Sequence, residues 1–231
     1  MRNNLTDLLK NRSQGYYKAD VLAASALREA IIKGALSPGE EIDEEMVAKN
    51  LNLSRTPVRQ AIAILEAEGL VKRPIRKGAI VTELTRKDIE ELYHIRAYLE
   101  GLAIKQAVPN YNEEHLKRLN DCLSQLEDGN GDANTYLDLN NRFHSLLYEP
   151  CEWDRLLQLV AQLRNNAARY MVLAREFIIK NSHSRVPHER ILRVCESGNA
   201  EEAERIIRQH ILAAMSILLQ SFDEGLAKPN P

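Results

Sequence analysis

The sequence predicts a mainly α protein in two parts. An N-terminal winged helix-turn-helix, three helices plus a small β-hairpin, is followed by an all-α antiparallel six-helix bundle. Three observations predict it. Two short helical patterns flank a tight turn at Leu51-Asn52-Leu53, and two short β runs follow around a basic tip. From Thr85 onward apolar residues recur at helical spacing with no strand pattern. Breakers divide that half: Pro109-Asn110, Gly129-Asn130-Gly131, Pro150, Pro187 and Gly198-Asn199.

Residues 1–15 are polar and Asn-rich and are expected to form a flexible arm. Lys18 to Gly34 reads as a helix with Val21, Leu22, Ala24, Leu27, Ile31 and Ile32 inward, ended by Gly34 and a Ser37-Pro38-Gly39 turn. Ile42 to Lys49 is a second helix, with Asp43 as its N-cap and Ile42, Met46 and Val47 buried. A third begins at Ser54 or Thr56. Pro57 suits its first turn, where a missing N–H costs little, and Gly69 stops it. Val58, Ala61, Ile62 and Leu65 make its inward stripe. Leu70 to Arg73 and Ala79 to Val81 are the hairpin strands, with Arg73, Arg76 and Lys77 around the tip.

In a helix-turn-helix, the second helix of the pair presents its N-terminal side chains to DNA base edges. Arg55 and Arg59 lie one turn apart, away from the Val58/Ile62/Leu65 stripe. Arginine is the best bidentate reader of guanine, and a helix N-terminus favours a phosphate. An arginine pair alone is more often a solvated face. The turn, the proline, the glycine stop and the basic hairpin together point to DNA.

Thr85 with Asp88 has the form of a capping box, so the bundle opens at about Arg86. Helices are expected near 86–107, 112–128, 132–148, 153–180, 185–197 and 200–224. A bundle builds its site from inward polar residues on facing helices. Asn140 and His144 share a helix face, His188 opens another helix, and His210 sits among apolar neighbours. Imidazole suits zinc, nickel, iron and copper. With six His in the chain, spacing alone leaves these three open between a metal site and ordinary core residues. Arg96 is either a carboxylate clamp or the i,i+4 partner of Glu100. Trp153 reads as a packing residue.

Composition excludes several classes. The 231 residues are 44% hydrophobic and 28% charged, with no apolar run near the ~18 of a membrane span and no secretory leader pattern. Cys122, Cys151 and Cys195 are odd in number and without close spacing, which points to a reducing cytoplasm and away from disulfides or a cysteine zinc site. Net charge is −2, but residues 1–82 carry 13 basic and 10 acidic side chains while the remainder carries 18 and 23. A mildly basic head on an acidic body orients the head toward DNA.

The first half resembles the winged-helix domain of the GntR family of bacterial transcription regulators. The resemblance rests on Ile32, Gly34, Leu36, Pro38-Gly39, Ser54-Arg55-Thr56-Pro57-Val58-Arg59, Leu65, Glu68-Gly69-Leu70-Val71, Gly78 and Val81. It implies DNA contacts at Ser54, Arg55, Thr56, Arg59, Lys77 and Gly78. A family contact on the preceding helix, often Arg, falls on Glu45 and is in doubt. The second half resembles the FCD effector-binding domain of the FadR-like branch. That resemblance rests on Leu92-Tyr93, Ile95-Arg96, Leu99-Glu100, Phe143-His144, Leu147, His188, Ile191-Leu192, Ala203 and His210-Ile211. It implies a divalent metal, zinc first with nickel or manganese as alternatives, on Asn140, His144, His188 and His210. It also implies a small carboxylate effector near Arg96, with Arg169 and Tyr170 as weaker candidates. An amide at position 140 supplies a dipole where metal-binding members commonly have a charged Asp. Pro150-Cys151-Glu152-Trp153 departs from the family's usual link.

The resulting domain assignment is an arm at 1–15, a DNA-binding domain at 16–82 and a linker at 83–85. An effector-binding and dimerisation domain at 86–226 and a tail at 227–231 follow. The function expected is a cytoplasmic, homodimeric transcription repressor, not an enzyme. Its binding to a double-stranded operator would be controlled by a small organic acid with a divalent metal. Two alternatives are a DNA-binding protein whose bundle only dimerises, and a His-site metalloenzyme. The second is disfavoured because no carboxylate is tied by motif to the site as a general base.

Overall fold

The computed structural model describes residues 19–75, 77–83, 85–127, 133–174, 177 and 188–224. The expected arm, Arg76, the Gly129–Gly131 break, the last turns of the expected 153–180 helix, Pro187 and the tail lie outside them. The chain divides into two compact units between residues 84 and 85.

The first unit contains α1 (Ala19–Ile32), α2 (Glu44–Leu51), α3 (Arg55–Ala67), β1 (Val71–Lys72) and β2 (Ile80–Val81). α1 packs mainly on α3. Its inward face is Ala23, Ala24, Ala26, Leu27, Ala30 and Ile31. Val21, expected inward, is 46% exposed. The helix turns its small residues to α3, which lets the backbones come close.

Asp43 caps α2 by accepting from the Glu45 and Met46 amides at 3.0 and 2.9 Å. The turn to α3 is made by Asn52 at φ 54°, ψ 43°, a left-handed conformation that asparagine tolerates better than most residues. Ser54 takes the N-cap position of α3 in an extended conformation, but its hydroxyl caps nothing. β1 and β2 pair antiparallel, Val71 opposite Val81 and Lys72 opposite Ile80. Both strands are shorter than the sequence pattern suggests. Leu27, Leu36, Ile42, Val47, Val58, Ile62, Leu65, Leu70 and Val81 are among the buried residues that form one continuous core.

The second unit contains α4 (Arg86–Ala107), a 3₁₀ turn (Val108–Asn110), α5 (Glu113–Glu127), α6 (Ala133–Tyr148), α7 (Asp154–Leu173), α8 (His188–Glu196) and α9 (Ala200–Asp223). Thr85 caps α4 by accepting from the Asp88 amide at 3.1 Å. α4 and α9 run antiparallel along one another. Arg86 meets Asp223 at one end (2.6 Å) and Lys105 meets Glu204 at the other (3.3 Å). At Gly101 they approach so closely that a Cβ would sit 2.9 Å from Arg208 Cγ. α5 and α6 are also antiparallel, joined by His115 Nε2 to the Leu146 carbonyl (2.9 Å) and Arg118 to Glu149 (2.8 Å). The link into α7 is held by Asn110 Nδ2 donating to the Pro150 carbonyl at 3.0 Å. Trp153, read as a packing residue, is 51% exposed at the start of α7, and the buried side chain of that link is Cys151.

Candidate functional site

Two clusters of side chains merit description, one in each unit. On the first, Val58, Ala61, Ile62 and Leu65 anchor α3 to the core and leave its other face to solvent. Ser54, Arg55, Thr56 and Arg59 are all exposed there, as the periodicity predicts. Two acids at the start of α2 meet the arginines. Glu44 Oε2 accepts from Arg59 Nε at 2.9 Å, and Glu45 lies 3.7 Å from Arg55 Nη1. Arg73, at the end of β1, reaches the Arg59 carbonyl at 3.5 Å. Lys77 and Gly78 are exposed at the base of the hairpin tip. Gly78, Arg55 and the Glu41–Glu44 segment line one cleft, and a Cβ on Gly78 would collide with the Glu41 carboxylate.

On the second unit, α6, α8 and α9 each deliver one imidazole. The ligating nitrogens of His144, His188 and His210 lie within 4.8 Å of one another. The ring centroids are 5.5, 5.0 and 4.8 Å apart. Phe143 packs edge-on against His188 at 5.2 Å. His144 and His210 are buried and His188 partly so. Burial, and then the neighbouring His210, holds His144 well below the usual imidazole range, which favours the neutral ring. Asn140 stands one turn before His144. Its Oδ1 is buried without a hydrogen-bond partner among the described residues.

Around this cluster runs a polar chain that only partly follows the sequence expectation. Tyr148 OH donates to Glu100 Oε2 at 2.8 Å and lies 3.4 Å from His144 Nδ1. Glu100, fully buried, also accepts from Arg96 Nε at 2.7 Å. Arg96 stacks 4.6 Å over Tyr93. Burial opposes the Arg96 charge, but Glu100 outweighs it and the guanidinium is held above its ordinary range. The expected pairing of Arg96 with Glu100 is present, made through Nε.

Arg164 of α7 was not anticipated. It donates to Ser145 Oγ at 3.1 Å and to the Asn141 carbonyl at 2.6 Å, and lies 5.8 Å over Tyr148. Tyr148 could have been found from its i+4 relation to His144. Arg164 offered no signal, because its partners are set by the crossing of α6 and α7. Arg169 and Tyr170 are not gathered among the imidazoles. They are buried against Thr85, Asp88 and Tyr93 near the start of α4, and burial raises the Tyr170 hydroxyl to about 12. Asp88 is about 18 Å along α4 from Glu100 at 1.5 Å per residue.

A helix-turn-helix with an exposed arginine pair, joined to an all-helical unit with a polar interior, defines a DNA-binding transcription regulator. The chain belongs to the GntR family, in the FadR-like branch that carries an FCD domain. It matches "Bacterial regulatory proteins, gntR family" over residues 22–81 and the FCD domain over residues 91–213. It is 33% identical to the uncharacterized HTH-type transcriptional regulator YdhC of Bacillus subtilis, covering 81% of this chain and 83% of that one. It is 29% identical to a probable D-xylose utilization operon transcriptional repressor of Paenarthrobacter nicotinovorans, over 82% and 86% of the two chains. The solved structure of E. coli McbR/YncC shares the fold, with a TM-score of 0.73 at 22% identity over 89% of this chain and 99% of that one. These relatives are regulators, and this chain is a regulator and not an enzyme. No described helix is long and apolar enough to cross a membrane.

Proposed function

We propose that this regulator is a homodimeric repressor whose operator binding is controlled by a small organic acid together with a divalent metal ion. In this reading residues 16–82 form the DNA-binding domain and 86–226 the effector-binding and dimerisation domain. Ser54, Arg55, Thr56, Arg59, Lys77 and Gly78 contact the operator. One winged helix occupies each half of a roughly palindromic site.

The observation that carries the control is the convergence of His144, His188 and His210, with Asn140 one turn before His144 and its buried oxygen without a partner among the described residues. Three imidazoles and an amide oxygen suit a borderline ion such as zinc, with nickel or manganese as alternatives. Burial favours the neutral His144 ring that a ligand must be. The donor set contains no carboxylate, so a bound dication keeps its full charge and attracts an anion. Such an ion polarises and orients an acid at the site. Arg96 bonds Glu100 through Nε and keeps its Nη groups for a carboxylate. Arg164 bonds neutral oxygens of Ser145 and Asn141, so it also has charge to offer a carboxylate. Arg169 and Tyr170, with their partners near the start of α4, supply less direct contact.

The test is metal content of the purified protein by mass spectrometry, with and without chelation, alongside the affinity of a fluorescent operator duplex in the presence of a panel of small carboxylic acids. About one ion per chain, and an acid that changes duplex affinity only when the metal is present, is the expected result. If the chain neither holds nor takes up metal and no acid alters duplex affinity, the bundle is a structural dimerisation element. The edge-on packing of Phe143 against His188 is what favours that second reading.

A further inference from the structure

We propose that Glu44 is a positioning residue for base reading: it fixes the guanidinium of Arg59 so that the terminal Nη edge faces the DNA. This rests on the reading of α3 as the helix that contacts bases. The two acids at the start of α2 meet the two arginines differently. Glu44 engages Arg59 through Nε at 2.9 Å. Both Nη groups then remain for the O6 and N7 of a guanine, which is the bidentate contact arginine makes. Glu44 is itself held. It is the first residue of α2, where the helix dipole favours an acid, and its side chain is only 20% exposed. Arg73, just after β1, approaches the same carboxylate at 4.0 Å and reaches the Arg59 carbonyl, so it helps hold Glu44 in place beside Arg59.

Glu45 provides the contrast. Its side chain is 79% exposed and lies 3.7 Å from Nη1 of Arg55, on the edge a base would take. Its carboxylate competes with DNA where that of Glu44 prepares for it. An exposed ion pair adds little stability; the consequence here is orientation. Pre-ordering one long side chain is worth about a 2- to 10-fold gain in discrimination.

The test is selection from a pool of random-sequence duplexes by the full-length protein, with base preference read at each position of the bound fraction. Arg59→Ala should lower the preference at one position per half-site by about 5- to 150-fold. Glu44→Ala should lower preference at that same position by about 2- to 10-fold and leave the others intact. Glu44→Gln keeps an acceptor oxygen for Nε and should retain most of the preference. Glu45→Ala should raise the total bound fraction and the preference at the Arg55-dependent position, and leave the Arg59-dependent position unchanged. The proposal is overturned if Glu44→Ala leaves the Arg59-dependent position unchanged, weakens every position alike, or is matched by Glu44→Gln. A wild-type chain that selects no sequence would overturn the base-reading assignment of α3 and this role with it.

Discussion

Glu100 governs the polar interior of the bundle. It has no solvent exposure and takes hydrogen bonds from both Arg96 and Tyr148. Removing one partner of a buried ion pair leaves an uncompensated charge and costs about 3–5 kcal/mol. Glu100→Ala should therefore lower unfolding stability by that amount in denaturant titration, and Glu100→Gln by less; an unchanged midpoint would show that Arg96 finds water instead. The sequence revealed the i,i+4 spacing of Arg96 and Glu100 but not their burial, since the same spacing on a solvated face is a weak surface pair. On the other unit Arg55 and Arg59 were legible because exposure follows from periodicity. Arg55→Ala and Arg59→Ala should each weaken specific binding by about 1–3 kcal/mol in fluorescence anisotropy with the selected duplex. The cysteines make a simpler case. Burial raises the Cys195 thiol to about 12, so little thiolate exists near neutral pH. Iodoacetamide should label Cys195 only after denaturation, as mass spectrometry of the digest would show.

At the scale of elements, ends were easier to read than faces. Caps are local: Asp43 and Thr85 act through amides two or three residues ahead, so their chemistry is written in consecutive letters. Thr85→Ala leaves the Asp88 amide without its acceptor and should cost about 1 kcal/mol, within the 0.5–2 typical of such caps. Thermal melting checks this, and no shift would mean that water replaces the hydroxyl. Faces are harder where alanine is abundant. Along α1 both sides of the helix carry apolar residues, and only the close approach of α3 decides that Ala23, Ala26 and Ala30 turn inward while Val21 faces water. The long-range contact between Arg164 and Asn141 was hidden for the same reason, because a crossing between two helices leaves no mark in either one.

At the scale of the whole molecule, the proposed control by an acid requires that the acid and the operator sense one another, and linkage sets a strict condition on how they would. If an acid at the helical unit changes operator affinity by some factor, the operator must change affinity for the acid by the same factor. Binding of the acid by itself should stabilise the protein, by about 2.7 kcal/mol at 100 times its dissociation constant. That effect reports binding and says nothing of control, because a ligand with equal affinity for both conformations shifts neither. The informative measurement is calorimetric titration of the metal-loaded protein with the acid, with and without saturating operator duplex. Equal affinities would separate the two units energetically and leave the bundle as a passive dimeriser. Unequal affinities should match the shift in duplex binding seen in the reverse titration. His188→Ala should abolish both shifts together with the metal, while the unliganded variant binds operator as the parent does. Loss of operator binding in that variant, with the first unit still folded, would instead make the imidazole cluster part of the scaffold that holds the DNA-binding form.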